Sequence, residues 1–143
     1  MATVARAVKW AYLAFAGERD KAGRYMIDHM SRVAERVKTP NEKMVAWLHD
    51  VVEDERYSLE ELAADGFSRN VIAAVDAITK RDGEGYDEYL DRVAANRLAR
   101  TVKLADLADN SDEARLALLP AETADRLRAK YAKAIARLAA TGE

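Results

Sequence analysis

The chain has 143 residues, half of them hydrophobic, which is one domain's length with room for one sizeable core. Charged residues make up 34% and nearly balance, for a formal net charge of -2, so the basic excess of a nucleic-acid-binding surface is missing. With no cysteine, disulfides and thiolate metal sites are excluded, and with no apolar run of about eighteen residues a membrane span is not expected.

Glycine and proline are scarce and alanine, leucine, arginine and glutamate abundant, which favours helix throughout. The first helix is predicted over about residues 2–16. Arg6 and Lys9 interrupt its apolar pattern, unlike a secretion signal, so a soluble cytoplasmic protein is expected. A charged loop follows over 17–24. The second helix covers about 25–37, with Met26, Met30, Val33 and Val37 on one face. Thr39-Pro40-Asn41-Glu42 reads as a capping box with proline at the first helical position, opening a third helix to about residue 54. Ser58 with Glu61 starts a short helix that ends at Gly66, and Ser68 starts another to about residue 79. Two glycines make a turn of 81–85. A short helix over 86–94 and a longer one over about 96–110 follow. Pro120 opens the terminal helix, whose apolar stripe is Leu127, Tyr131, Ile135 and Leu138. Residues 1–143 are therefore expected to form a single all-α domain, a compact multi-helix bundle.

Three of these helices put a polar residue on the face that should pack inward. His29 lies three residues after Met26 and four before Val33. His49 lies four after Val45, and Asp106 four after Val102. A buried imidazole or carboxylate is costly unless something satisfies it, and one shared partner would satisfy all three. His29 and His49 are the chain's only histidines. Each alone reads as a hydrogen-bonded core residue; together with Asp50 beside His49, and with Asp106, they make two nitrogens and two carboxylates. Such a set suits Mn²⁺, Fe²⁺, Co²⁺, Ni²⁺ or Zn²⁺, with positions left open for water and substrate.

Further polar residues surround this set. On the predicted third helix, Glu53 stands four residues after His49 and Asp54 four after Asp50, each pair on one face. Two acids one turn from metal ligands suit the deprotonation of a water; the alternative is a solvated acidic helix end, which the helix macrodipole disfavours. Asn110, four residues after Asp106, either orients a ligand oxygen or ends its helix. Arg19, Lys21 and Arg24 cluster shortly before His29, either to hold phosphates or as an ordinary charged loop. Lys103 is a weaker phosphate candidate, the alternative being the polar flank of its helix.

His49-Asp50-Val51-Val52-Glu53-Asp54, Val102 to Asn110 (VKLADLADN) and Asp20 to His29 (DKAGRYMIDH) resemble three motifs of the hydrolase domain of the RelA/SpoT family and its small stand-alone relatives. Ile78 to Lys80 and the segment 86–89 are also similar. The resemblance implies an all-helical HD-domain fold binding one Mn²⁺ through His29, His49, Asp50 and Asp106. It implies Glu53 and Asp54 as the water-activating pair and Lys21 and Asn110 as substrate contacts; Arg24 joins them as a candidate from the charged loop alone. The implied reaction removes the 3'-pyrophosphate from guanosine tetra- or pentaphosphate, the starvation alarmones. A small phosphorylated nucleotide is then the expected partner, with neither nucleic acid nor membrane. Family members usually read R-K-S-G-x-P-Y-I-x-H-P through the first metal histidine, and their arginine packs against the guanine base; here Asp20 takes its place, Ala22 that of the serine, and both prolines are absent. Glu55 stands for the usual threonine, and Leu107-Ala108-Asp109-Asn110 for the usual R-L-H-N. Two other functions keep the same site: an HD phosphohydrolase for another nucleotide or cofactor phosphate, and a non-catalytic nucleotide-binding regulatory domain.

Overall fold

Side-chain caps decide where most of the helices begin. A computed structural model describes residues 2–53 and 56–140. Thr3 accepts from the Arg6 amide and starts α1 (Val4–Phe15). The 17–25 loop leads to α2 (Met26–Glu35). Thr39 and Glu42 form the expected reciprocal box ahead of α3 (Pro40–Leu48), and Ser58 and Glu61 repeat it for α4 (Leu59–Ala64). Ser68 caps α5 (Arg69–Ile78), α6 (Tyr86–Ala94) follows, and Asn96 caps α7 (Arg97–Asn110). The single turn α8 (Glu113–Leu116) and the long α9 (Ala121–Ala140) complete the chain. No strand is present among the described residues beyond one isolated bridge, Arg19 with Tyr25. No helix among them is long and apolar enough to cross a membrane.

α3 and α7 form the centre. α3 packs against α1, α2, α5 and α7, and α7 packs against α2, α3, α5, α6 and α9. Val45, Leu48, Val71, Val75, Val93 and Val102 are shielded between them, each such side chain contributing about 1.5–3 kcal/mol by leaving water. The carbonyls at the end of α5 are satisfied from α6, where Arg92 donates to Asp76 O and Ala77 O at 3.1 and 2.7 Å and also pairs with Glu84.

Two elements depart from the sequence expectation. The third helix stops at Leu48 rather than near residue 54. Beyond it the Val51 amide donates to Leu48 O at 2.9 Å and the Glu53 amide to Asp50 O at 3.3 Å, both three-residue closures. This tighter winding turns Val51 into the core, while Val52 is only half-buried and Glu53 is exposed. The four-residue spacing that set Glu53 beside His49 therefore does not apply. The second departure is α8, which the sequence pattern did not reveal; its one turn seats Leu116 in a small cluster with Ala124 and Leu127.

The 17–25 loop is built rather than slack. Asp20 accepts from the Ala22 and Arg24 amides at 2.9 and 3.0 Å, and Gly23, at φ +85°, makes the left-handed turn of the loop.

Candidate metal centre

Five polar or charged side chains are buried among the described residues: His29, His49, Asp106, Asp109 and Arg115. All five belong to one region. α2 supplies His29, the end of α3 supplies His49, and α7 supplies Asp106. His29 Nε2 lies 2.8 Å from Asp106 Oδ1, and His49 Nε2 lies 3.3 Å from the same oxygen. The imidazole centroids are 5.6 Å apart. One ligand atom from each of the three residues falls within 4.8 Å of the others, which is the spacing needed to share one cation. Asp50 stands at the edge of this group, its Oδ2 3.3 Å from His49 Nε2.

The donor chemistry fits a divalent ion. His49 Nδ1 donates to Ala46 O at 2.6 Å, which leaves Nε2 facing the centre. That Nε2 is buried and has no hydrogen-bond partner among the described residues, although two carboxylates are near. Burial opposes charge on His49, yet Asp50 and then Asp106 outweigh it and push its pKa up to about 10. His29 is raised in the same way, burial being overcome by Asp106 and Asp109. Burial also opposes ionisation of Asp106, but Lys103 and the two histidines hold its carboxyl well below the usual carboxylate range. Positive charge is thus drawn to this point of the interior, as protons or as a cation.

A cleft of about 410 Å³ opens onto the group. His29, Asp50 and Asp106 line it together with the cations Arg19, Lys21, Lys103 and Arg115. Lys103 Nζ is 2.9 Å from Asp106 Oδ2 and 5.4 Å from the centroid of the Tyr89 ring. Its place is inside the site, not on the flank of the helix. Asn110 also lines the cleft, with Nδ2 3.4 Å from Asp106 Oδ1. Arg24 does not line it; its guanidinium is turned to Asp112 at 3.7 Å. Glu53 lies on a second, larger cleft of about 770 Å³ with Val52, Thr79, Lys80 and Arg81. The larger cleft holds none of the three clustered ligands, so the smaller is the candidate site. Asp54 lies outside the described residues.

Two parts of this centre were not read from the sequence. Asp109 accepts from His29 Nδ1 at 2.7 Å and from Arg32 Nε at 2.7 Å. Burial raises its pKa, but His29 and Arg32 overcome this and bring it down to about 2. The signal was its place three residues after Asp106, on the same helical face. Arg115 Nε pairs with Asp20 Oδ2 at 3.3 Å, both side chains largely buried. This pair spans 95 residues of chain, and no local pattern points to it.

A solved structure of a metazoan ortholog of SpoT, which hydrolyzes ppGpp and plays a role in starvation responses, matches with a TM-score of 0.77. The two chains share one fold. Sequence identity is 23%, over 97% of this chain and 86% of that one. The helical HD-domain fold implied by the RelA/SpoT resemblance is thus the fold observed, and the likeness to the SpoT ortholog runs nearly end to end. No protein-family profile and no curated protein matches the chain.

Proposed function

We propose that this chain is a divalent-metal-dependent phosphohydrolase that removes the 3'-pyrophosphate from guanosine tetra- or pentaphosphate. The observation that carries the reading is the buried His29–His49–Asp106 group at a cleft that Arg19, Lys21, Lys103 and Arg115 also line. The fold shared with a ppGpp-hydrolyzing SpoT ortholog supports it.

In this reading His29, His49, Asp50 and Asp106 hold one Mn²⁺. The bound cation supplies positive charge that eases the loss of a proton from water and offsets charge on phosphoryl oxygens. The protein does the rest. Lys21 takes the outer phosphate, and Arg24 would have to leave Asp112 to join it. Lys103 and Arg115 keep the cleft cationic, and Asn110 offers its amide to a substrate oxygen. The proton of the attacking water goes to Glu53 and Asp54, the acids that the resemblance assigns to it; Glu53 lines the larger cleft and would have to turn toward the centre to take it. The water oxygen bonds to the phosphorus carried by the ribose 3'-oxygen, that P–O bond breaks, the 3'-oxygen is protonated, and pyrophosphate leaves.

One observation favours a second reading, an HD phosphohydrolase for another nucleotide or cofactor phosphate. Where the resemblance implies an arginine against guanine, Asp20 is engaged with Arg115 and with its own loop. A panel of purine nucleotides assayed with Mn²⁺, resolving phosphate from pyrophosphate, decides between the two. Pyrophosphate from guanosine tetra- and pentaphosphate alone is the expected result, and phosphate from other nucleotides supports the second. No release from any substrate would refute both.

A further inference from the structure

An imidazole has two nitrogens, and only one can face the centre. In both histidines here it is Nε2, because Nδ1 is engaged on the far side. For His49 the engaging group is the backbone carbonyl of Ala46, which the turn of α3 supplies without any side chain. For His29 it is the Asp109 carboxylate, only 2% exposed. Arg32 grips that carboxylate at both oxygens, with Nε 2.7 Å from Oδ1 and Nη2 3.2 Å from Oδ2. His29 and Arg32 stand three residues apart on α2, so the carboxylate reaches across from α7 and ties the two helices at this point.

A carboxylate that accepts from Nδ1–H fixes three properties of His29. It sets the tautomer, leaving the Nε2 lone pair toward the centre. It stops rotation of the ring. It also raises the electron density at Nε2, which strengthens a bond to a cation. Arg32 in turn offsets the Asp109 charge and holds its plane. We propose that Asp109, gripped by Arg32, is a positioning residue that sets the cation affinity of the His29–His49–Asp106 group. This rests on the reading of that group as a cation site.

The test is calorimetric titration of the full chain with Mn²⁺ alone, for wild type, Asp109→Asn and Asp109→Leu, with metal-free melting followed by circular dichroism. Wild type is expected to bind one Mn²⁺. Asp109→Leu should bind on the order of 10- to 100-fold more weakly, and Asp109→Asn, which keeps an acceptor oxygen, should lose less. Leu62→Ala, a core truncation on α4, serves as a control: it should lower the melting temperature with Mn²⁺ affinity unchanged. In the Zn²⁺-loaded chain the His29 Nδ1 proton should resonate far downfield in wild type and move upfield in Asp109→Asn, a signature that general destabilisation does not produce. Wild-type affinity in Asp109→Asn, together with an unmoved proton resonance, overturns the proposal even if the leucine variant does not fold, and leaves the cation site standing. No binding of Mn²⁺ or Zn²⁺ by wild type overturns the cation site itself, and Asp109's role with it.

Discussion

At the scale of single residues, the proposed chemistry and the local electrostatics make separate predictions. Glu53→Gln or Asp54→Asn keeps size and hydrogen bonding but cannot accept a proton, so turnover should fall about 10²-fold or more while Mn²⁺ binding is retained. Full activity in both single variants with the metal bound would show that neither acid takes the proton. The Asp20–Arg115 pair makes a prediction about stability. Removing either partner leaves a buried charge, so Asp20→Asn or Arg115→Met should each cost about 3–5 kcal/mol. The double variant should cost much less than the sum. Chemical denaturation of the four proteins measures the coupling, and additive costs would show that the two side chains do not depend on one another.

Among helices, the sequence was most informative where a local device sets the structure. The Thr39–Glu42 and Ser58–Glu61 boxes and the Ser68 cap lie within four residues of what they bind, so their pattern survives in one dimension. The inward placement of His29, His49 and Asp106 was legible for the same reason, because helical period alone puts them on apolar faces. The end of α3 was not legible. Leu48 fills the core at 0% exposure, and the following turn then closes over three residues to bury Val51, a choice made by packing against α1 and α7 rather than by propensity. Arg115 and Asp109 escaped for a related reason: their partners come from distant segments. The end of α3 should accordingly be sensitive. Leu48→Ala is expected to cost about 2–5 kcal/mol and to weaken Mn²⁺ binding, since the adjoining His49 loses its backing, whereas Thr39→Ala at the other end should cost about 1 kcal/mol and leave Mn²⁺ affinity unchanged. Urea melts and metal titrations on the two variants separate these outcomes.

For the molecule as a whole, fold and cation are linked through the raised histidine pKa values. In the metal-free protein, protonated His29 and His49 add stability that is fully present below their unfolded pKa of about 6.5. That contribution is lost as pH rises, the His49 share disappearing toward about 10. The melting temperature of the chelated protein should therefore fall between about pH 6.5 and 10, while affinity for Mn²⁺ climbs over the same window as protons cease to compete. The opposite trend in either measurement would show that the histidines are not protonated in the empty site. At fixed pH, free Mn²⁺ at about 100 times its dissociation constant should add about 2.7 kcal/mol, and a chelator should remove it. His29 and Asp106 are 77 residues apart in the chain. Synthesis from the N-terminus therefore exposes both imidazoles well before the anion that unites them has been translated. Metal capture then becomes a late event in maturation, waiting on the arrival of α7, and a polypeptide cut short between α3 and α7 would keep both histidines and Asp50 yet lack the carboxylate that joins them.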